Sequence, residues 1–237
     1  NDTLSNVLET ARAAEKRELL KELCWENRYA TPAEALSYGL EALSLVKEFE
    51  SYELEASIHN FLGIIQRNVG DHATALEYFF NARNLAEEQR NPEDLAYAYN
   101  NIGDIYNREK DYGLALKYEM TALTTFEGLG DSLGVSYCCH QIALVHTNMG
   151  QYVEALEYHK RAMNIRTLFG NKAGVAYSLL SIGQTYLSLG DHAKSLEYLM
   201  GGRDIFSELG DNFGLSLSLH NLGLSYRSRD QTEEASS

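Results

Sequence analysis

The chain has 237 residues and a formal net charge of −14, from 20 Lys and Arg against 34 Asp and Glu. This acidic balance argues against nucleic acids and anionic membranes as general partners. Apolar residues make up 44% of the chain, enough for a core, yet no apolar run approaches the roughly 18 residues that a membrane span requires. The composition therefore predicts a folded protein without direct membrane insertion.

The cysteines indicate a reducing environment. There are three, Cys24, Cys138 and Cys139, and they form no spaced framework. An odd, unpatterned set is typical of reduced thiols, so we expect packing residues and a cytoplasmic location. The chain begins with Asn1 rather than Met, so we also expect a piece of a longer protein.

A fixed period of 40 residues runs through the chain. Its clearest marker is one set of tyrosines, each preceded two positions earlier by a leucine: Tyr38, Tyr78, Tyr118, Tyr158 and Tyr198. Self-similarity at a period of about 20–50 residues is the signature of a repeat architecture. The sequence therefore predicts a tandem array, whose function would lie on the surface that stacked repeats create.

The first 50 residues are predicted to form an N-terminal cap and a degenerate repeat. Leu23 occupies a position that later repeats give to glycine, and Trp25 lies beside it. Ahead of them, an apolar stripe at helical spacing consists of Leu4, Val7, Leu8 and Ala11. A second helix is predicted near 33–49.

Four full repeats follow, and each is predicted to contain two helices. The repeats span 51–90, 91–130, 131–170 and 171–210, and a truncated repeat spans 211–237. First helices are predicted near 54–69, 94–109, 134–149, 174–189 and 214–229. Second helices are predicted near 73–89, 113–128, 153–168 and 193–208. Links such as Gly70-Asp71 suit a left-handed helix end followed by an N-cap.

Glycine recurs inside the first helix, at Gly63, Gly103, Gly183 and Gly223. A glycine in a helix interior costs roughly 1 kcal/mol relative to alanine. Its repetition predicts that the backbones of two helices come close at these points.

The last residues resemble the beginning of another second helix. Glu234 and Ala235 fall in register with Lys194 and Ser195. We therefore expect a sixth second helix to begin there and the parent protein to continue.

The repeat unit resembles that of the tetratricopeptide repeat family. The unit has a small residue and an aromatic in the first helix, and two small residues in the second: Gly103, Tyr106, Ala115 and Ala122. The resemblance implies an all-α fold, a right-handed α-solenoid of antiparallel helix pairs, forming one domain over 1–237. The common period is about 34, and the longer period here is similar to repeats of kinesin light chains, spindle-orientation adaptors and bacterial signalling proteins.

Motifs for chemistry are not found in the sequence. It contains no phosphate-binding glycine loop, HExxH, nucleophile elbow or CxxC. Histidines placed by the repeat would stand a repeat or more apart, which does not suit a metal site. We therefore expect no enzyme activity in this chain, no cofactor and no metal.

The resemblance also implies a peptide-binding groove lined by the first helices. By register, the candidate groove residues are Tyr97, Asn100, Asn101, Asp104, Tyr137, His140, Gln141, Tyr177, Gln184, His220 and Asn221. Aromatic, amide and imidazole groups suit an extended or helical peptide. The alternative is that some of these polar groups pack between adjacent repeats.

Two features of the predicted groove refine this expectation. Asn101 and Asn221 resemble an asparagine ladder that grips a peptide backbone, although Phe61, Gln141 and Ser181 fill its other slots. The slots that related arrays use to clamp a terminal carboxylate hold no Lys or Arg, so a carboxylate clamp is disfavoured.

Two functions remain open. The first is a protein–protein interaction module that binds a peptide or protein segment. On this reading it is the regulatory or sensory region of a larger, bacterial signalling protein with a histidine kinase, nucleotide cyclase or diguanylate cyclase output. The second is a scaffold that dimerises through its ends and has no groove ligand.

Overall fold

The computed structural model describes residues 2–50 and 52–236, with the backbone alone for 2–11 and 230–236. In these ranges the chain forms α-helices and a 3-10 turn at Tyr52–Leu54, without strands. The helices are α1 Asp2–Glu26, α2 Pro32–Glu48, α3 Glu55–Val69, α4 His72–Glu88, α5 Pro92–Arg108, α6 Tyr112–Leu129, α7 Ser132–Asn148, α8 Tyr152–Leu168, α9 Lys172–Leu189, α10 His192–Leu209 and α11 Asn212–Ser236. The predicted all-α fold is confirmed. The predicted stripe of Leu4, Val7, Leu8 and Ala11 lies outside the described side chains.

The turns between helices follow the predicted link chemistry. Gly130 has φ +70°, a left-handed conformation that closes the end of α6 without the cost of a side chain. The carboxylate of Asp131 then accepts a hydrogen bond of 3.0 Å from the Gly134 backbone N–H, which caps α7. Similar turns recur along the chain. The predicted helix bounds from α2 to α10 are confirmed to within about three residues.

The last helix differs from the prediction. A turn near 230 and a new helix around Glu234 and Ala235 were expected, but α11 continues without a break to Ser236. Asp230 stands where Gly70, Gly150 and Gly190 adopt positive φ. Lys110 also adopts positive φ, +63°, at this position between α5 and α6, so the turn does not require glycine.

The chain divides into two compact units between Thr125 and Phe126. In the N-terminal unit, consecutive helices from α1 to α5 pack on one another, and α3 also contacts α5. Its core includes Leu20 of α1 and Val46 of α2 against Ile58 and Leu62 of α3. The degenerate first repeat thus shares a core with the full repeat that follows.

The C-terminal unit repeats this plan. Consecutive helices from α7 to α11 pack in order, and α9 also contacts α11. Leu180 of α9, Leu199 and Phe206 of α10, and Leu222 of α11 share one core cluster. Burial of such side chains, at about 1.5–3 kcal/mol each, is the main stabilising contribution to the fold.

The recurring helix glycines receive side chains rather than a backbone. A Cβ on Gly63 would stand 2.4 Å from Phe79 Cε1, and one on Gly103 would stand 2.7 Å from Glu119 Oε1. The predicted approach of two backbones is wrong at these positions. A Cβ on Gly183 would meet both a side chain and a backbone, with Leu199 Cγ at 2.6 Å and the Ser195 carbonyl oxygen at 3.2 Å. A Cβ on Gly223 would have no neighbour within 4 Å. Gly63, Gly103 and Gly183 each make room for the second-helix side chain that follows 16 residues later.

Cys24, Cys138 and Cys139 are free and buried, as predicted for packing residues. Among the described residues, no helix combines the length and apolarity that crossing a bilayer requires.

Candidate functional site

The predicted groove residues all lie on first helices of the repeats. The first-helix face of the N-terminal unit comprises α3 and α5, and that of the C-terminal unit comprises α7, α9 and α11. The predicted residues divide into Tyr97, Asn100, Asn101 and Asp104 on α5; Tyr137, His140 and Gln141 on α7; Tyr177 and Gln184 on α9; and His220 and Asn221 on α11. The two faces are described separately below.

Amides join α3 to α5 in the N-terminal unit. Asn101 donates from Nδ2 to Asn60 Oδ1 at 3.4 Å, and Asn60 donates from Nδ2 to the Asp94 backbone oxygen at 3.2 Å. Asn60 and Asn101 are both buried. Because an unsatisfied buried amide costs about 1–3 kcal/mol, these bonds fix the contact between two adjacent first helices.

Asp104 holds two arginines side by side. Arg67 of α3 donates from Nη1 to Asp104 Oδ2 at 2.9 Å, and Arg108 of α5 donates from Nε to Asp104 Oδ1 at 3.1 Å. The Asp104 side chain is 7% exposed, whereas those of Arg67 and Arg108 are 15% and 49% exposed. A nearly buried carboxylate therefore orients two guanidinium groups, one of which reaches solvent.

Asn100 faces the interior of its own repeat. Its Nδ2 donates to Glu119 Oε2 on α6 at 2.8 Å. Glu119 is fully buried against Gly103, and burial raises the pKa of its carboxyl well above the ordinary value. The protonated carboxyl is the favoured form there, because burial penalises the charge.

His140 and His159 occupy the same two slots in the C-terminal unit, one period later. Their rings lie 5.3 Å apart on α7 and α8. Burial lowers the pKa of His159 to about 3 and that of His140 well below its ordinary value, with the nearby Arg166 charge acting in the same direction. Both imidazoles are therefore neutral at pH 7.

Arg166 ties α8 to α9. It is buried, and its Nη1 donates to Ser178 Oγ at 2.8 Å and to the Gly174 backbone oxygen at 3.3 Å. Its guanidinium carbon also lies 5.9 Å from the Tyr137 ring centroid. This contact supports an aromatic side chain that is 47% exposed.

Tyr177 contributes to the core of its repeat. Its ring packs edge-on against Phe206, with centroids 4.8 Å apart, and its hydroxyl donates to Asp211 Oδ2 at 3.0 Å. Burial, followed by this bond to a carboxylate, raises the pKa of Tyr177 to about 12. Tyr177 therefore joins α9 to the start of α11.

The exposure predicted for the groove residues is only partly correct. Tyr137, Gln184 and His220 are exposed, and Tyr97 and Gln141 are half-buried. The residues that the structure buries instead are Asn101, Asp104 and Asn221. Asn101 and Asp104 bond to the neighbouring first helix, and Asn221 donates to the Leu217 backbone oxygen at 2.8 Å. The alternative of packing between repeats thus holds for Asn101 and Asp104.

Sequence reasoning missed the buried partners of these residues, namely Glu119, His159 and Arg166. The signal available was the spacing, because Asn100 and Glu119 are separated by 19 residues, as are His140 and His159. Asn60 is followed at this spacing by Phe79, and Leu180 by Leu199, so one core slot is apolar in the first and last of the four repeats and polar in the two between them. In the described residues, no group of three or more His, Cys, Asp or Glu could hold a metal ion.

The family follows from a direct match. The tetratricopeptide repeat model matches residues 54–128 and 136–200, more than half of the chain. The chain belongs to the tetratricopeptide repeat family. No curated protein sequence matches it significantly.

Solved structures share the fold at low sequence identity. A Rap protein complexed with Competence and Sporulation Factor has 17% identity and a TM-score of 0.66, covering 92% of this chain and 66% of the Rap chain. A kinesin light chain-like repeat protein of Podospora anserina has 14% identity and a TM-score of 0.61, covering 85% and 97%. A signal transduction ATPase with a tetratricopeptide repeat sensor, from Pyrococcus horikoshii, has 19% identity and a TM-score of 0.64, covering 89% and 34%.

Proposed function

We propose that the chain is an interaction module that binds a peptide or protein segment on its first-helix faces. The observation that carries this proposal is the Arg67–Asp104–Arg108 cluster, in which a nearly buried carboxylate fixes two arginines. Donors that are held in place before binding lose little entropy when a ligand arrives. Guanidinium groups donate to peptide carbonyl and carboxylate oxygens alike.

The C-terminal unit offers a second set of groups. Tyr137 of α7 and Gln184 of α9 are exposed, and the Arg166 guanidinium carbon lies 5.9 Å from the Tyr137 ring centroid. Tyrosine supplies apolar contact area with a polar tip, and a glutamine amide can pair with both N–H and C=O of a peptide. These groups suit a neutral stretch of peptide rather than a terminal carboxylate.

The structural relatives support a regulatory role. One is a Rap protein complexed with Competence and Sporulation Factor, and another carries a tetratricopeptide repeat sensor in a signal transduction ATPase. By this likeness of fold, we propose that the chain senses a peptide or protein segment for a signalling protein. Such a protein would be bacterial and have a histidine kinase, nucleotide cyclase or diguanylate cyclase output.

Selection from a displayed peptide library, followed by calorimetric titration of the selected peptide, tests the binding proposal. The two face variants are Arg108→Ala and Tyr137→Ala/Gln184→Ala. We expect at least one of them to weaken binding by about tenfold, the effect of losing one interfacial anchor. Both variants alter exposed side chains, so helicity by circular dichroism should be unchanged.

The matched control is Arg203→Ala. Arg203 lies on α10, a second helix, and its side chain is 37% exposed beside Asp204. We expect this variant to bind as wild type does. Equal affinities for the wild type and both face variants, or an equal loss in the control, would contradict binding on the first-helix faces.

Self-assembly is the second candidate function. The observation that favours it is a set of exposed apolar side chains at the turns of the C-terminal unit, among them Leu168 and Phe169. Sedimentation velocity over a wide concentration range tests it. A dimer that persists on dilution supports a scaffold, whereas a monomer throughout the range contradicts one.

A further inference from the structure

Three arginines lie at the ends of consecutive first helices in the N-terminal unit. Arg67 is in the last turn of α3, Arg108 is the last residue of α5, and Arg28 follows the end of α1 by two residues. We call these three residues the arginine row. Because α1 contacts α3, and α3 contacts α5, the row crosses three helices that follow one another in contact.

The row carries more positive charge than the structure neutralises. In the described residues, Asp104 is the single carboxylate that pairs with any of the three guanidinium groups, and it pairs with both Arg67 and Arg108. Glu109, the residue after Arg108, pairs instead with His72 at 2.6 Å. Three positive charges therefore share one carboxylate, on a chain whose net charge is −14.

Arg108 retains unused hydrogen-bond donors. Its Nε donates to Asp104 Oδ1 at 3.1 Å, whereas its two Nη groups have no partner among the described residues. The Arg108 side chain is 49% exposed, which leaves these nitrogens open to solvent. A guanidinium that is fixed at one nitrogen and free at the other two can bind a further carboxylate through both of them.

Arg28 is fixed by aromatic rings. Its guanidinium carbon lies 3.5 Å from the Trp25 ring centroid and 4.6 Å from the Tyr29 ring centroid, and its Nη1 donates to the Trp25 backbone oxygen. The Trp25 ring packs in turn against Phe61 of α3, with centroids 4.8 Å apart. Aromatic rings orient a guanidinium without neutralising its charge, so Arg28 is a second anchored cation.

The repeat does not require arginine at these positions. By register, Arg28 and Arg108 share one position of the repeat, which holds Asn148, Ser188 and Ser228 in the C-terminal unit. Helices α5 and α7 both end at this position, one at Arg108 and the other at Asn148. The positive charge is therefore not a condition for ending the helix.

We propose that the arginine row binds Asp or Glu side chains within the peptide segment held by the first-helix face of the N-terminal unit. This inference rests on the proposed binding function and names the chemistry of the ligand. Charge complementarity supports it, because an anchored guanidinium forms a charge-assisted bond to a carboxylate. Nucleic acids are disfavoured, because the net charge of −14 repels a polyanion.

Binding of matched peptides with and without carboxylates tests this proposal on the full chain. Peptides selected from the displayed library are synthesised with an amidated C-terminus, together with copies in which Asn and Gln replace Asp and Glu. We expect the selected peptides to contain Asp or Glu, and the amide copies to bind wild type about tenfold more weakly. Arg28→Gln/Arg108→Gln should reduce this preference to about twofold or less.

Arg83→Gln is the matched control. Arg83 lies on α4, a second helix of the same unit, and its Nη2 donates to Asn84 Oδ1 at 2.7 Å. This variant should keep the wild-type preference for the acidic peptide. Arg108→Gln alone changes a half-exposed side chain, and it should reduce the preference by about threefold. This single variant keeps the test decisive if the double variant folds poorly.

The outcomes separate this proposal from the proposed function. Selected peptides that lose affinity in the first-helix variants, but none on conversion of their carboxylates to amides, would overturn the role of the arginine row and leave the interaction module standing. An equal loss of preference in Arg83→Gln would also overturn it. Failure of every selection would contradict both proposals. Binding of a single-stranded oligonucleotide more tightly than the acidic peptide, lost in the double variant, would assign the row to nucleic acid instead.

Discussion

The carboxyl group of Glu119 occupies the space that Gly103 leaves free because it has no side chain. A Cβ on Gly103 would stand 2.7 Å from Glu119 Oε1, 2.8 Å from its Cγ and 2.9 Å from its Cδ. The same relationship places Phe79 at Gly63 and Leu199 at Gly183. The repeat therefore encodes a socket on the first helix and an inserted side chain on the second.

The socket predicts opposite effects of alanine at two glycines. Gly63→Ala should lower the free energy of unfolding by about 1–3 kcal/mol, because its Cβ would meet the buried Phe79 ring at 2.4 Å. Gly223→Ala should raise it by up to about 1 kcal/mol, because nothing lies within 4 Å and alanine favours the helix. Urea denaturation measures both, and a shift of the same sign in the two variants would contradict the socket.

Glu119 predicts that the N-terminal unit is less stable at high pH. Burial raises the pKa of its carboxyl well above 4.5, so the folded state holds a proton that the unfolded state releases. This contribution is fully present below about pH 4.5 and is lost as pH rises through the folded pKa, at about 1.4 kcal/mol per pH unit. Glu119→Gln should remove this slope and stabilise the chain at pH 7. Parallel stability–pH curves for wild type and variant would contradict the assignment.

The histidine pair predicts a slope of the opposite sign in the C-terminal unit. Burial lowers the pKa of His159 to about 3 from 6.5, so the unfolded state binds the proton first. The stability is fully present above about pH 6.5 and is lost as pH falls toward 3. His159→Leu introduces the residue found one repeat later, at Leu199. It should reduce the dependence of the thermal midpoint on pH between about pH 6.5 and 4. An unchanged acid dependence would show that the imidazole is accessible to protons in the folded state.

The Asp104 cluster predicts unequal costs for its members. Asp104→Asn should destabilise the chain by about 3 kcal/mol, because two guanidinium groups lose a nearly buried carboxylate. Arg108→Gln should cost less than about 1 kcal/mol, because that side chain is half exposed. Chemical denaturation of the two variants and of the double variant gives the coupling. A cost for Arg108→Gln as large as that for Asp104→Asn would contradict the burial of the carboxylate.

The helices could be predicted well from the sequence because the residues that end and cap them are close together in the chain. Gly130 and Asp131 end one helix and cap the next through bonds that span three residues. Tertiary partners are not local: Arg67 and Asp104 are 37 residues apart, and Asn60 and Asn101 are 41 apart. Because both separations are close to the period of 40, opposite charges or paired amides near that spacing are the pattern to search for in such arrays.

The buried partners also change how the binding proposal must be tested. Asn101 was predicted to line a groove, but substituting it would break a bond between α3 and α5. His140 packs against His159 in the repeat interior. Substitutions at either residue would confuse a loss of folding with a loss of binding, so exposed residues such as Arg108, Tyr137 and Gln184 are the informative ones.

Amide NMR mapping of a selected peptide tests the central claim most directly. With the full chain labelled, we expect the largest shift changes on α3 and α5 near Arg67 and Arg108, or on α7 and α9 near Tyr137 and Gln184. Residues of α4, α8 and α10 facing away from these helices should change little. Changes centred on α4, α8 and α10, with the first helices unaffected, would contradict a first-helix binding face.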